Sequence, residues 1–277
     1  VAIGIASSGM GAGGLVLPLI IGIYLIPNFG WRVAYQILAL VSILFIIINA
    51  QIVMRTSPQE IATYTKSVGQ SDEAKITFQH SKGWTLNATL QTPIFWLIAS
   101  AFFIFQLAEV GTSQHLIIHL TDVGFPVAMA TAIYSTVNII SAGGKLLFGY
   151  ISDWLRAEYC AMIAFLFGLV ATSVLITVNF TSPLLLIGIY ILTMGLAIGS
   201  WAPIASILIG TNFGMEHYGD IFGAFSLFFY TGTGVSPTFF GYVYDATHQY
   251  YLAYVSALVF YSVATTLILV LRRLKRS

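Results

Sequence analysis

The stretch Asn138-Ile-Ile-Ser-Ala-Gly-Gly-Lys145-Leu-Leu-Phe-Gly149-Tyr-Ile-Ser-Asp153 decides how this chain is interpreted. It includes the C-terminal part of an apolar run, residues 127–151, that is long enough to cross about 30 Å of hydrocarbon. A cation at membrane depth is costly, and such residues usually face the protein interior or a water-filled cavity. The stretch therefore predicts a membrane helix in which Lys145 has a function.

A polar stripe runs along this helix. Tyr134, Asn138, Ser141 and Lys145 follow one another at i, i+4, i+7 and i+11, which places them on one helical face. Such a stripe must face protein or water rather than lipid, so these four residues are the candidate substrate-binding set. The alternative is that Lys145, roughly 7–8 Å from the helix end, extends its stem to the membrane surface.

The composition is that of an integral membrane protein. Of the 277 residues, 58% are hydrophobic and 8% are charged, whereas an ordinary soluble domain has roughly a quarter charged residues. The single cysteine, Cys160, excludes an internal disulfide framework. The sequence has no nucleotide-binding loop, which argues against ATP-driven transport by this chain. We expect no cofactor, no resident metal and no nucleic-acid partner.

Eight runs of the sequence are long enough to span a bilayer. Their approximate limits are 2–26, 33–54, 93–120, 127–151, 159–179, 183–210, 220–243 and 250–271. Basic residues gather in alternate connections and in the tail: Arg55, Lys66, Lys75, Lys82, Arg156, Arg272, Arg273, Lys275 and Arg276. These connections and the C-terminus are predicted to be cytoplasmic. The expected location is a cell membrane, most simply a bacterial inner membrane.

The first two and the last two runs share a pattern at a constant offset of 219 residues. The matching pairs are Gly4 and Gly223, Ser7 and Ser226, Gly13 and Gly232, Pro18 and Pro237, Gly22 and Gly241, Ala34 and Ala253, and Tyr35 and Tyr254. Small residues let membrane helices pack closely, and proline marks a bend. The repeating unit is then six helices, and four helices of the first unit are expected upstream of Val1.

This repeat divides the chain into three predicted parts. Residues 1–54 hold the fifth and sixth helices of the first half, 55–92 form a central cytoplasmic loop, and 93–277 hold the second six-helix half and a short cytoplasmic tail. Two six-helix halves joined by a long cytoplasmic loop form the architecture of the major facilitator superfamily. The predicted fold is thus an all-α membrane protein, a major facilitator fold lacking its first four helices, with eight transmembrane helices present.

Local motifs resemble the monocarboxylate transporter branch of that superfamily and its bacterial relatives. The N-terminal Val1-Ala-Ile-Gly4-Ile-Ala6-Ser-Ser-Gly9 resembles the latter part of the signature on the fifth helix, and Phe29-Gly30-Trp31-Arg32 resembles the start of the sixth. Gly149-Tyr-Ile-Ser-Asp153 resembles the core of the loop motif between the eighth and ninth helices. Gly241-Tyr-Val-Tyr-Asp245 with Tyr250 resembles the end of the eleventh helix.

The resemblance implies roles for several residues. Lys145 occupies the position, four residues before Gly149, where the family has an arginine that binds a carboxylate, whereas Ser141 replaces the family's partner aspartate. Gly149, Asp153 and Arg156 would form the gating motif, with Trp154 in place of its usual basic residue. An ammonium can neutralise a carboxylate but lacks the bidentate fork of arginine.

The helix predicted over 93–120 carries further candidates on about half its circumference. Glu109 lies near mid-span, and its carboxyl suits uptake and release of a proton, with His115 and His119 as the other proton-coupling candidates. The alternative is a neutral carboxyl hydrogen-bonded to a neighbouring helix. Metal binding by His115 and His119 at i, i+4 lacks an evident third ligand except Glu109.

The sequence thus predicts a monomeric, proton-coupled secondary transporter, and not an enzyme, that moves a small organic anion, a monocarboxylate, by alternating access. The second transport hypothesis is an organic anion exchanger of the oxalate–formate antiporter type. Two hypotheses from other classes remain open: an intramembrane metal-dependent enzyme using Glu109, His115 and His119, and a sensor that transports nothing.

Overall fold

The computed structural model describes residues 20–52 and 83–275, and within these ranges the regular structure is helical. The described residues belong to two compact units, one within Val16–Ser81 and the other within Lys82–Ser277. Most of the first predicted span (2–26), most of the predicted loop (55–92) and four of the seven first-copy repeat positions lie outside the described residues. The division of the chain at residues 54 and 92 stays a prediction.

The first unit consists of one long helix with a glycine break. A π-helical turn, Ile20–Leu25, leads into helix α1, Ile26–Ile52. Gly30 interrupts the helix with φ 75° and ψ 162°, a conformation that residues with a Cβ rarely adopt. The break falls in the predicted connection Pro27-Asn28-Phe29-Gly30, and the guanidinium of Arg32 lies 4.5 Å from the ring centroid of Trp31.

The second unit is a bundle of six long helices with two short ones. The short helices are α2, Leu86–Leu90, and α4, Leu116–Asp122. The long helices are α3, Pro93–Gln114; α5, Val127–Ile151; α6, Ala157–Thr177; α7, Leu184–Phe213; α8, Tyr218–Thr247; and α9, Tyr251–Leu274. Short connections make successive long helices antiparallel. One end of the bundle therefore carries Tyr250 (the Tyr250 end) and the other carries Lys275 (the Lys275 end).

Two differences from the predicted boundaries are clear. The helix predicted over 93–120 ends at Gln114, because His115 adopts φ −90° and ψ 2° and a separate helix, α4, begins at Leu116. Part of the predicted central loop is helical, since Thr85 accepts a hydrogen bond from the backbone of Ala88 and starts α2. The second difference arises from a local side-chain cap, and the first from the backbone conformation of one residue; a hydropathy pattern registers neither.

Six helices of the described residues are long and apolar enough to cross a membrane. They are Ile26–Ile48, Pro93–Gln114, Val127–Ile151, Ala157–Thr177, Leu184–Phe213 and Tyr251–Leu274. The predicted span 220–243 is indeed helical within α8, but α8 is not among the six; its sequence between Asp220 and Asp245 is rich in Gly, Ser, Thr and Tyr. The count of eight membrane helices remains a prediction.

The six long helices of the bundle pack in two layers. Helix α7 packs along α5 and α6, and α3 packs along α8 and α9, while α6 and α9 join the two layers. Aromatic rings fill the space between α3, α6 and α9: the Phe105 and Phe165 rings stack at a centroid distance of 4.7 Å, and Tyr261 meets Phe105 edge-on at 5.8 Å. All three rings are fully buried.

Glycines allow α5 and α7 to approach closely. A Cβ added to Gly199 would lie 2.5 Å from the carbonyl oxygen of Ser141 and 2.9 Å from the Cα of Gly144. A Cβ on Gly195 would lie 2.6 Å from the Cβ of Ile140. Membrane helices associate through such small residues, since lipid tails provide no hydrophobic drive for helix pairing. The contact fixes α5, and with it Lys145, against α7.

Candidate functional site

The polar stripe on α5 lies on the packed side of that helix. Lys145 is 7% exposed and Ser141 3% exposed. Tyr134 and Asn138 are half-buried, and the side-chain amide of Asn138 donates to the carbonyl of Tyr134 at 2.9 Å. The off-stripe residues Ile139, Leu146 and Leu147 are exposed, in agreement with a lipid-facing side. Burial to this degree argues against the alternative in which Lys145 extends to the membrane surface.

Glu109 of α3 is the anionic partner within electrostatic range of Lys145. The carboxyl group is buried, at 6% exposure, and accepts a long hydrogen bond of 3.5 Å from the hydroxyl of Ser113. The two groups reside on different layers of the bundle, α3 and α5. The structure thus places one buried acid and one buried base, from two of the three predicted sets of site residues, within electrostatic range of each other.

Polar contacts fasten α3 to α8 beside Glu109. The Gln106 side-chain amide donates to the Thr233 hydroxyl at 2.9 Å, and the Ser236 hydroxyl donates to the carbonyl of Leu107 at 2.5 Å. The carbonyl oxygen of the Gln106 side chain is buried without a hydrogen-bond partner among the described residues. A Cβ on Gly232 of α8 would lie 2.7 Å from the carbonyl of Phe103, so the two helices approach closely here.

His115 joins α3 to the Tyr250 end of the bundle. Its Nε2 lies 3.2 Å from the carbonyl oxygen of Pro237, and its Nδ1 lies 3.0 Å from the hydroxyl of Tyr250. A carbonyl oxygen can only accept, so Nε2 carries the proton and Nδ1 of the neutral ring accepts from Tyr250. Each ring nitrogen of His115 therefore has a hydrogen-bond partner within the protein.

His119 lies on α4 and is buried, at 8% exposure. Its Nε2 donates to the carbonyl of Leu175 on α6 at 3.4 Å, and its ring meets the Tyr254 ring edge-on at 4.8 Å. With Asp122, Tyr250 and Tyr254, His119 lines a cavity of ≈ 530 Å³ at the Tyr250 end. No group of three or more metal-ligating side chains occurs among the residues that the structure describes.

The loop motif at the Lys275 end takes part in an ion-pair network. Gly149 is buried, and Asp153 and Arg156 are exposed. The guanidinium Nε of Arg156 lies 3.5 Å from a carboxylate oxygen of Glu158, whose other oxygen accepts a hydrogen bond from Lys275 at 2.6 Å. Glu158 is thus the centre of a contact between the start of α6 and the end of α9.

Sequence reasoning missed Glu158 and the buried tyrosines Tyr190, Tyr254 and Tyr261. An acidic residue in the first turn of a helix, followed much later by a basic tail, was the available signal for Glu158. Tyr254 and Tyr261 share a face of α9 with Tyr250 at i, i+4 and i+11, a stripe as regular as that on α5. The substrate-binding, proton-coupling and gating roles assigned from the sequence stay predictions.

A bundle of long apolar helices, with an acid and a base buried within electrostatic range of each other, is the architecture of a polytopic membrane protein. The sequence model of the Major Facilitator Superfamily matches residues 1–237. Because the match covers most of the chain, this protein belongs to that superfamily, whose members are membrane transporters. A comparison with curated proteins finds no match.

Proposed function

We propose that the protein is a proton-coupled transporter of a small organic anion, a monocarboxylate, and that Lys145 binds the carboxylate. The observation that carries this proposal is the buried, mutually interacting pair of Lys145 and Glu109. An isolated charge at membrane depth is costly, and a cation with its own acid nearby is tolerable because the two charges compensate each other.

Substrate binding changes this balance in a way that couples it to a proton. When the substrate carboxylate pairs with Lys145, the negative charge of Glu109 loses its compensation and becomes an excess buried charge. Uptake of one proton by Glu109 restores neutrality. The site is then neutral both empty, as carboxylate and ammonium, and loaded, as carboxylic acid, ammonium and substrate. One proton for each monovalent anion follows from this charge balance.

Ser141 supports the choice of Glu109 as the proton carrier. Ser141 is buried one helical turn before Lys145, at the position where the monocarboxylate transporter branch has an aspartate. A hydroxyl cannot carry the coupled proton as a carboxyl does. Glu109, which approaches from α3, supplies the missing carboxyl in the same electrostatic neighbourhood.

The test is uptake of radiolabelled lactate, as the probe monocarboxylate, by the full-length protein in proteoliposomes. Lys145→Ala removes a charge-assisted interaction and should lower uptake by about 10–100-fold, while Lys145→Arg should preserve part of it. Arg273→Ala, which removes an exposed cation at the same end of the bundle, is the matched control and should leave uptake unchanged. Unaltered uptake by Lys145→Ala would contradict the proposal.

Proton coupling is tested separately from anion binding. An inward proton gradient should accelerate wild-type uptake, and Glu109→Gln should remove this acceleration while counterflow of lactate against lactate continues. Wild-type counterflow with no dependence on a pH gradient would instead favour an anion exchanger of the oxalate–formate type.

A further inference from the structure

Four buried hydroxyl groups on helices α6, α7 and α9 have no hydrogen-bond partner among the described residues. They belong to Tyr190 on α7, Tyr254 and Tyr261 on α9, and Thr172 on α6. Each of these residues is between 0% and 2% exposed. Native proteins satisfy nearly all buried polar groups, so a set of four on facing helices requires a physical reason.

Two of these hydroxyls lie on a face of α9 that begins at the cavity of the Tyr250 end. Tyr254 lines the cavity of ≈ 530 Å³, where its ring stacks on Tyr250 at a centroid distance of 5.8 Å. Tyr261 lies two helical turns further along the same face of α9, packed against Gly168 of α6. The α9 face that carries these rings packs between α3 and α6.

The hydroxyls lie within electrostatic range of one another. Tyr254 interacts with Tyr190 and, towards the cavity, with Tyr250 and Asp122. Tyr261 interacts with Tyr190 and Glu109, and its ring meets that of Phe105, one helical turn from Glu109, at 5.8 Å. The buried hydroxyls thus form a succession from Tyr254 at the cavity to Tyr261 beside α3, inside an otherwise apolar bundle.

Such a succession is suited to hold water. A buried water molecule needs two to four polar partners, and hydroxyls can both donate and accept. Phenylalanine would fill the same space as each tyrosine without burying an unpaired polar atom. The hydroxyls are thus costly for packing alone, and their position next to a buried carboxyl gives them a use.

We propose that the hydroxyls of Tyr254, Tyr190 and Tyr261 line a file of internal water molecules that conducts protons between the cavity at the Tyr250 end and Glu109. The proposal rests on the proposed function, since Glu109 is its end point. A proton enters from the cavity, each water or hydroxyl along the file accepts one proton and passes on another, and the last transfer protonates the Glu109 carboxylate. Release reverses these transfers, so no proton is gained or lost by the file.

Charged and titratable groups lie at both ends of the water file and suit proton movement from the cavity to Glu109. Asp122, His119 and Tyr244 face the cavity from α4 and α8, and Tyr244 donates to a carboxylate oxygen of Asp122 at 3.3 Å. Lys145 of α5 faces the other end, where substrate binding would draw the proton to Glu109. The Tyr250 end is the predicted external side, so the file gives external protons a route that does not pass through the substrate-binding position.

The experiment compares two transport modes of the full-length protein in proteoliposomes, with lactate as the probe. In net uptake, Glu109 must bind and release a proton in each transport cycle. In lactate–lactate exchange, the carrier crosses only in its loaded form, and Glu109 keeps its proton. Tyr190→Phe, Tyr254→Phe and Tyr261→Phe should each slow proton-driven net uptake by about tenfold, the effect of one lost hydrogen-bonding group, and leave exchange unchanged. Tyr242→Phe, at an exposed position of α8, is the matched control and should alter neither mode.

The two transport modes distinguish a proton path from a structural role of the three hydroxyls. Loss of net uptake with retained exchange supports the file. Retention of both modes in all three variants overturns it and leaves proton coupling at Glu109 intact. An equal loss of both modes in all three variants shows that the hydroxyls serve folding, which also overturns it. Wild-type uptake that carries no proton overturns both the file and the proposed coupling.

Discussion

Replacement of Gly199 by alanine tests whether backbone contact between α5 and α7 positions Lys145. The added Cβ would lie 2.5 Å from the Ser141 carbonyl oxygen and 2.9–3.0 Å from backbone atoms of Gly144. All three neighbours are backbone atoms, so no side-chain rotation can relieve the contact. To reach an ordinary contact of 3.4 Å, the Ser141 carbonyl must retreat from Gly199 by about 0.9 Å.

The expected cost follows from that displacement. Overpacking of a close contact typically destabilises a protein by about 1–3 kcal/mol. Alanine also favours the helix over glycine by up to about 1 kcal/mol, which offsets part of the cost. Gly188 lies on the same helix with nothing within 4 Å of its added Cβ, so Gly188→Ala should show the helix gain alone. The two variants should therefore differ by roughly 1–3 kcal/mol in the free energy of unfolding.

Thermal unfolding in detergent, followed by intrinsic fluorescence, measures the difference. At about 2–4 °C for each kcal/mol, Gly199→Ala should unfold several degrees below Gly188→Ala. Gly144→Ala, whose nearest contact is 3.3 Å, should lie between them. Uptake should also fall in Gly199→Ala, because a shift of about 1 Å at a binding group can cost up to about a hundredfold in rate. Equal stability of Gly199→Ala and Gly188→Ala would refute the close-contact reasoning.

Two further predictions concern the ends of the bundle. Lys275→Ala removes the 2.6 Å hydrogen bond to Glu158 and should lower the free energy of unfolding by about 1–2 kcal/mol, reduced by the remaining Arg156 contact; a melting temperature equal to that of Arg273→Ala would contradict it. His115→Phe removes the hydrogen bonds of the ring to the Pro237 carbonyl and the Tyr250 hydroxyl and should cost about 1–3 kcal/mol. A double-mutant cycle with Tyr250→Phe should then show a coupling of about 0.5–1.5 kcal/mol, and strict additivity would exclude the contact.

The sequence predicts those features that depend on composition and period. Apolar length predicts the long helices, turn residues place the break at Gly30, and a 3.6-residue period predicts which side of α5 is buried.

Other features depend on contacts between distant segments, which no local pattern encodes. Glu158 and Lys275 are 117 residues apart in sequence, and His115 and Tyr250 are 135 apart. The end of α3 at Gln114 depends on the caps around His115. Lys145 and Ser141 could be found because both lie on one helix with a period, whereas their electrostatic neighbour Glu109 comes from a different helix and layer.

Glu109 and Lys145 lie on separate layers of the bundle, so the distance between the two charges depends on how the layers are arranged. Backbone contacts through Gly199 fasten α5 to α7, and hydrogen bonds through Gln106 and Ser236 fasten α3 to α8. Each charge is thus held by its own layer, and the layers meet mainly where α6 packs on α9. A rocking motion about the α6–α9 contact would change the separation of the two charges while most hydrogen bonds stayed intact. Because Coulomb energy varies inversely with distance, proton and anion occupancy would then bias the position of one layer against the other, which is the requirement for coupled transport.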